Sequence, residues 1–235
     1  MYFYGYYFDW TYILVLIGAV ISGIASLNVH MTYNKYSKVM QHLGLTSQDA
    51  AQRILESAGI HDVGIERIGG NLSDHYSPKE KVLRLSDSVY GSSSVAAIGV
   101  AAHECGHAVQ HKTGYAMLHL RSAAVPIAKF GSYLSWPVIL LGLLFGWTGM
   151  LRVGIFLFMF VVAFQLITLP VEFDASRRAL KILKSDHMLE GEEFEGAKKV
   201  LLAAAMTYVA ALFTSILQLA RLILLARGSS GRRRD

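Results

Sequence analysis

Four long apolar runs constrain this chain more than any other feature of its sequence. They cover residues 10–29, 130–151, 153–171 and 200–220, and none of them contains a charged side chain. Each is close to the ~20 residues that an α-helix needs to cross the hydrocarbon core of a bilayer. Only 17% of all residues are charged, whereas an average soluble domain has about 25%. We therefore predict a mainly α membrane protein with three or four transmembrane helices.

The basic residues predict how these helices are oriented. No lysine or arginine precedes the first run and no small-residue cleavage pattern follows it, so we interpret it as a retained anchor and not as a signal peptide. Arg152 alone separates the second and third runs, whereas the two longer polar segments are rich in lysine and arginine. Because cytoplasmic loops carry the excess of these residues, we predict the amino terminus outside and both polar segments in the cytoplasm.

The same charge bears on the partners of the protein. The net charge is +5, but no DNA-binding or RNA-binding motif is present, and anionic lipid headgroups account for basic residues at a membrane face. We therefore expect the lipid bilayer as a partner and no nucleic acid. The single cysteine, Cys105, excludes an internal disulfide and agrees with a reducing compartment. Whether residues 200–227 span the membrane fully is left open, because the arginines of the tail would then lie outside.

The first polar segment has the pattern of a small α+β region. The stretch LTSQDAAQRILESAG predicts a helix that Thr46 caps, with Asp49 three residues later and Gly59 at its end. The alternating stretch VGIERI predicts a strand, and NLSDHYSP and KVLRLS flank the turn signal SPKE as a short β-hairpin. The serines at positions 92–94 then offer N-caps for a second helix, which reaches Gly114.

The second of these helices carries the stretch VAAHECGHAVQH, residues 100–111. Four helical residues advance about 400 degrees and roughly 6 Å, so His103 and His107 lie on one face and can share one tetrahedral zinc ion. Glu104 projects about 60 degrees from His107, where it can reach a water without becoming a ligand. A carboxylate in that place can accept the proton of a water that attacks a carbonyl. The pattern predicts one Zn²⁺ ion, with Glu104 as the catalytic general base.

The alternative interpretation is that three helix-surface residues coincide by chance. Alanines and a glycine surround the polar triplet, and unpaired charge is rarely tolerated in such an apolar helix. This isolation favours the metal site. Cys105 lies two residues from His103, projects to the opposite side of the helix and is predicted to be a small core residue.

A catalytic zinc ion needs a third protein ligand and an open fourth position. His111 is too far along the helix, because eight residues separate it from His103 by roughly 12 Å. A third histidine ten residues after the first is excluded, since that position is a threonine. Glu172 is the better candidate, in the opening turn of a helix that begins near Pro170, and Asp174 is its rival. Two membrane crossings return this segment to the side of the histidines.

These residues resemble a known family. The stretch LSDHYSPKEKVLRLSDSVYGSSSVAAIGVAAHECGHA, the membrane runs and the later VEFDASRRAL are similar to the YugP-like family of bacterial membrane zinc metallopeptidases, over nearly the whole chain. More distantly, EFDAS resembles the EFxAD element of the HtpX-type and CAAX prenyl protease metallopeptidases, whose glutamate is the third zinc ligand. The resemblance implies that Glu172 completes the zinc site, in a multi-pass protein of the bacterial plasma membrane. It departs at Ser176, where those families carry an acidic residue, so Asp174 is a candidate for orienting a zinc-binding histidine.

Other polar residues are candidates for lining a substrate cleft. His75, Tyr76, His187 and Tyr208 could each donate a hydrogen bond to an oxyanion, and the sequence does not rank them. The hairpin that precedes the motif helix could pair with an extended peptide by strand addition.

We predict six segments along the chain. They are a transmembrane anchor (1–30), a cytoplasmic metallopeptidase core with the motif helix (31–122), a transmembrane helical hairpin (123–171), a cytoplasmic helix with the third zinc ligand (172–199), a C-terminal hydrophobic helix (200–227) and a basic tail (228–235).

Three functional hypotheses follow. The main one is a zinc-dependent endopeptidase that cleaves peptides or membrane proteins at the cytoplasmic face. In the second, the motif helix itself spans the bilayer, which the charges within residues 79–121 and the lack of an aspartate in the apolar runs argue against. In the third, the protein is a zinc-stabilised membrane scaffold without turnover, and a fourth ligand such as His75, Asp174 or His187 would favour it.

Overall fold

The computed structural model describes residues 9–231, with side chains as far as Arg227. Within this range the chain forms, in order, α1 (Tyr12–Tyr36), α2 (Ser47–Ser57), β1 (Gly64–Ile68), β2 (His75–Ser77), β3 (Val82–Ser86), α3 (Val95–Lys112), α4 (Ala116–Leu144), α5 (Thr148–Ser185) and α6 (Gly191–Gly231). Four of these helices, α1, α4, α5 and α6, are long and apolar enough to cross a membrane, and α3 is not among them. The predicted mainly α membrane protein with a small β part is confirmed.

The boundaries of the apolar runs differ from the boundaries of the helices. The second run, 130–151, contains the turn between α4 and α5, where Gly146 adopts a φ of +62°. The prediction that Pro170 opens a new helix is wrong, because Pro170 lies inside α5. Proline removes one backbone donor and usually ends a helix in water, but it is tolerated in membrane helices, where neighbouring groups satisfy the freed carbonyl.

The three strands form one small sheet with the order β1-β3-β2. β2 and β3 pair antiparallel, with Tyr76 opposite Leu83, so the predicted hairpin is confirmed. β1 pairs parallel with the other side of β3. β2 is therefore an edge strand of the sheet.

The caps of α2 and α3 follow the sequence closely. The backbone N–H of Asp49 donates to the Thr46 hydroxyl at 3.1 Å, and the Asp49 carboxylate accepts the backbone N–H of Thr46, so α2 begins with a capping box. Ser94 caps α3 by accepting the backbone N–H of Ala97, and α3 ends before Gly114, whose φ of +63° stops the helix. Both predicted helices are confirmed.

The chain divides into two compact units. The sheet unit consists of Ala25–Ser122 and Ile167–Tyr208. It has one apolar core, to which α2, α3, the strands, the end of α5 and the start of α6 contribute. α3 runs through the middle of this core, with most of its residues buried.

The helical unit consists of the described parts of Met1–Ile24, Ala123–Leu166 and Val209–Asp235. Its helices approach closely at glycines: a Cβ added to Gly154 would lie 2.5 Å from the Ile139 side chain. Close approach through small residues is typical of helices in membranes. The Arg221 guanidinium lies 3.3 Å from the Asp9 carboxylate and over the Tyr12 ring.

The C-terminal hydrophobic run belongs to one continuous helix. α6 extends to Gly231 without turning back, and residues 232–235 of the predicted basic tail lie outside the described residues. The division into six segments stays a prediction.

Candidate metal centre

Three side chains from two helices converge in the sheet unit. Their ligand atoms, one each from His103, His107 and Glu172, all lie within 4.8 Å of one another. Nε2 of His103 is 3.3 Å from Oε2 of Glu172, and Nε2 of His107 is 3.7 Å from the same oxygen. The two imidazole rings meet edge to face with their centroids 4.9 Å apart, as expected for residues four apart on α3.

The surroundings of Glu172 fit a metal ion. The residue is only 2% exposed, and its Oε2 is a buried atom without a hydrogen-bond partner. A buried carboxylate oxygen in that state is costly, and a cation held jointly with the two histidines would satisfy it. The other oxygen, Oε1, lies 3.2 Å from Nη1 of Arg121. Two imidazole nitrogens and one carboxylate oxygen are a donor set that suits zinc and leaves a fourth position open.

A glycine lets α3 and α5, the helices that carry the three residues of the cluster, approach each other. A Cβ added to Gly106 would lie 2.4 Å from the carbonyl oxygen of Ala175 and 2.9 Å from its carbon. No larger residue fits there unless the backbone moves. Gly106 lies between the histidines of α3, and Ala175 lies three residues after Glu172 on α5. The contact therefore sets the distance between the two histidines of α3 and Glu172 of α5.

The orientation of His103 depends on a serine. Nδ1 of His103 is 3.0 Å from the hydroxyl of Ser176, one turn after Glu172. This hydrogen bond leaves Nε2 to face Glu172. A hydroxyl group, and not a carboxylate, therefore contacts this nitrogen of His103.

The orientation of His107 depends on a buried glutamine. Nδ1 of His107 is 3.0 Å from Oε1 of Gln110, whose Nε2 donates to the carbonyl of Val171 at 2.8 Å and to Asp174 at 3.0 Å. These two donations fix the amide, so its oxygen must accept the Nδ1 proton of His107. Nε2 of His107 then keeps a free lone pair, which is the tautomer that a metal ligand needs.

Asp174 does not join the three-residue cluster. Its carboxylate accepts hydrogen bonds from Gln110, Arg177 and Arg178. It therefore reaches His107 indirectly, through Gln110, and it is neutralised by two guanidinium groups. Asp174 is thus linked to His107 through Gln110, and its orienting role stays a prediction.

Glu104 lies beside the cluster and contacts the edge strand. Its Oε2 accepts the backbone N–H of Tyr76 at 3.0 Å, and the residue lines the same cavity as His103 and Glu172. Burial raises the pKa of the Glu104 carboxyl above its ordinary value, against the opposing effect of the two neighbouring imidazoles.

The remaining predicted residues are dispersed. His111 contacts the Tyr76 hydroxyl at 2.9 Å, and His75 contacts the carbonyl of Ser73. His187 is exposed and pairs with Glu190. Cys105 is fully buried in the core of the sheet unit, as predicted, and burial raises the pKa of its thiol. None of these four belongs to the metal-binding cluster found among the described residues.

The metal centre opens into a cavity of about 310 Å³ within the sheet unit. Its polar lining includes His103, Glu104, Glu172 and Tyr208. Val29 of α1 and alanine, valine and leucine side chains of α6 supply the apolar lining. Of the candidates for contacting an oxyanion, Tyr208 is therefore the one that lines the cavity.

Sequence reasoning missed Gln110 and Arg121. Gln110 lies three residues after His107 and thus on the same helix face, so the spacing itself could have indicated it. Arg121 belongs to α4, and nothing in its local sequence points to a carboxylate 51 positions later.

Comparisons with known proteins agree with this geometry. A family model described as "Putative neutral zinc metallopeptidase" matches residues 11–227. The chain is 44% identical to the "Putative membrane protease YugP" of Bacillus subtilis (strain 168) over 201 residues, which cover 86% of this chain and 89% of that protein. No solved structure matches the chain. The family and the donor set together identify zinc as the cofactor.

Proposed function

Because the chain belongs to this zinc metallopeptidase family, we propose that it is a membrane-embedded endopeptidase whose zinc ion is held by His103, His107 and Glu172. One observation carries the proposal: two imidazole nitrogens face a buried carboxylate oxygen that has no other partner, and a further glutamate stands beside them in a cavity. A site with three protein ligands leaves room for a water and a substrate.

A zinc ion held by these residues would act as a Lewis acid that lowers the pKa of the attacking water to about 7 and polarises the substrate carbonyl. Glu104 is the general base: its carboxylate takes a proton from the water and later delivers that proton to the leaving amine. The hydrogen bond from the Tyr76 backbone holds the Glu104 carboxylate beside the cluster. Ser176 and Gln110 keep the two histidines in the orientation that presents Nε2.

An extended peptide would bind along β2. This strand is an edge of the sheet and lies beside Glu104, whose carboxylate accepts the backbone N–H of Tyr76. A peptide that pairs with this edge passes the general base, because strand addition aligns the substrate with the outer edge of the strand. The Tyr208 hydroxyl is the proposed donor to the oxyanion that develops on the scissile carbonyl.

The described residues support turnover over a purely structural zinc site. A scaffold function would call for a fourth protein ligand. The metal-binding cluster found within residues 9–231 has three members, and Asp174, His75 and His187 all have other partners.

The test of the mechanism is the isosteric substitution Glu104→Gln in the purified full-length protein. Zinc content, measured by mass spectrometry of the metal, should stay at one ion per chain. Cleavage of an unfolded protein substrate should fall by at least ~10²-fold, the low end for loss of a general base. Glu56→Gln, on the exposed surface of α2, is the matched control. Full activity of Glu104→Gln would refute the role of Glu104 as general base.

The ligand assignment needs its own comparison. Glu172→Ala should lose zinc, whereas Asp174→Ala should retain it with weaker binding, because Asp174 acts through Gln110. If Glu172→Ala kept its full zinc content, the third ligand would lie elsewhere.

We further propose that the sheet unit lies on the cytoplasmic side of a bacterial plasma membrane. Between α1 and the apolar part of α4, and again between the apolar parts of α5 and α6, lysines and arginines are abundant, whereas Arg152 is alone near the α4–α5 turn. In intact cells, Trp147→Cys should react with a membrane-impermeant thiol reagent and Lys79→Cys should not. The native Cys105 is buried and adds little background. The opposite labelling pattern would reverse the orientation.

A further inference from the structure

α1 and α6 line a second groove, of about 460 Å³, in the sheet unit. Among its lining residues are Lys35, Met31 and Asn28 of α1 and Lys199, Leu202 and Met206 of α6. On each helix these residues are three or four positions apart, so they form one stripe along one face. They are different residues from those that line the cavity of the metal centre.

The two lysines lie at the same end of the groove. Tyr36, next to Lys35, packs against Gly196, where an added Cβ would lie 2.7 Å from the Tyr36 ring. Further along the same two helices, Ser22 hydrogen-bonds Thr214 at 2.9 Å. Residue numbers thus rise on α1 as they fall on α6, which means that the helices are antiparallel. Lys35 and Lys199 therefore mark one end of the groove, and its methionines lie further towards the other end.

The lysine end of the groove carries uncompensated positive charge. Lys35 contacts the ring of its neighbour Tyr36, 5.4 Å from the centroid. Lys199 is exposed. The adjacent Lys198, in contrast, lies 3.2 Å from the carboxylate of Glu195. Among the described residues, no carboxylate lies within ion-pair distance of Lys35 or Lys199.

The groove changes from charged to apolar along its length. Both helices are candidate membrane spans, and Lys199 directly precedes the apolar run 200–220, so the lysines stand at the edge of the hydrocarbon. Beyond them, Met31 is 70% exposed, Leu202 is 53% exposed and Met206 is 42% exposed. A ligand that fits both parts needs an anionic head and an apolar tail.

We propose that this groove binds an anionic phospholipid. The phosphate of the headgroup pairs with the ammonium groups of Lys35 and Lys199, and an acyl chain covers Met31, Leu202 and Met206. Lysines at a membrane surface attract anionic lipids, and the exposed apolar side chains gain from burial against the chain. Free phosphate would satisfy only the charged end of the groove.

The experiment uses the purified full-length protein in a mild detergent. Phosphatidylglycerol or phosphatidylcholine is added, and the lipid bound per chain is counted by native mass spectrometry. The test variant is Lys35→Gln/Lys199→Gln, and the matched control is Lys38→Gln/Lys198→Gln, which removes the same charge from neighbouring positions outside the groove lining. All four lysines are exposed, so both variants should keep the fold.

Wild type and the control should bind one phosphatidylglycerol in preference to phosphatidylcholine. The test variant should bind it about 30-fold more weakly, since each lysine contributes ~1 kcal/mol and each 1.4 kcal/mol is a factor of ten. Leu202→Ser should weaken binding of both lipids, because it removes apolar contact. Equal loss in the control would overturn the proposal in favour of general surface charge. Displacement of the lipid by millimolar inorganic phosphate would overturn it in favour of a free-phosphate site.

Discussion

The closest approach of α3 and α5 offers the sharpest test of how the metal centre is assembled. In Gly106→Ala, the new Cβ would stand 2.4 Å from the carbonyl oxygen of Ala175. Ordinary contact begins at 3.4 Å, and the difference, 1.0 Å, is the distance by which the two backbones must separate. The position of the new Cβ is fixed by the backbone of α3, and the oxygen that it meets is a backbone atom of α5, so no side chain can rotate out of the way.

This separation acts directly on the three proposed zinc ligands. His103 and His107 flank Gly106, and Glu172 lies on α5 just before Ala175, so the shift widens the cluster. A misplacement of about 1 Å costs on the order of 10²-fold in rate, or ~2.7 kcal/mol at 1.36 kcal/mol per factor of ten. The effect on the helix itself has the opposite sign, because alanine stabilises a helix by ~1 kcal/mol relative to glycine.

The assay is peptidase activity together with zinc affinity, measured by competition with a chelator. The matched control is Gly99→Ala on the same helix, where the added Cβ would be 3.5 Å from the Cβ of Ala197. That distance is ordinary contact, so Gly99→Ala should retain both activity and zinc. If Gly106→Ala matched the control in both measurements, the spacing of α3 and α5 would not govern the metal centre.

Three further predictions concern side chains that contact the proposed zinc ligands. Gln110→Met keeps the volume of the side chain but removes the hydrogen bond to His107. Zinc affinity, measured by competition with a chelator, should fall 10- to 100-fold, the usual range for a group that orients a ligand. An unchanged affinity would contradict the orienting role of Gln110. Arg121→Gln leaves Oε1 of the buried Glu172 without its cation. The increase in thermal midpoint on adding zinc should therefore be larger for this variant than for wild type. An equal increase would mean that the Arg121–Glu172 pair is unimportant. Ser176→Ala should lower kcat/KM by no more than ~10-fold, since it removes one hydrogen bond of His103. Ser176→Asp should restore kcat/KM, because a carboxylate can accept the same hydrogen bond. If the aspartate did not rescue activity, Ser176 would not have an orienting role.

The sequence alone was sufficient for features that depend on local pattern. The apolar runs predict membrane helices, because a bilayer demands about 20 apolar residues in succession whatever surrounds them. The spacing of His103 and His107 places them on one face of α3, because helical geometry is the same in every protein. Thr46 and Ser94 predict where α2 and α3 begin, since a cap acts on the backbone a few residues away.

The sequence pattern was not sufficient to determine which side chains of distant helices contact each other. Glu172 and Asp174 are two residues apart and point about 200 degrees apart on one helix, so only one of them can face the histidines. The neighbouring sequence does not indicate which of the two faces the histidines. The packing of Ala175 against Gly106 directs Glu172 towards them, and Asp174 instead contacts Gln110 and the arginines. Arg121 meets Glu172 for the same reason. The periodicity of a helix encodes which residues share a face, whereas the partner of that face depends on the close packing of segments far apart in the chain.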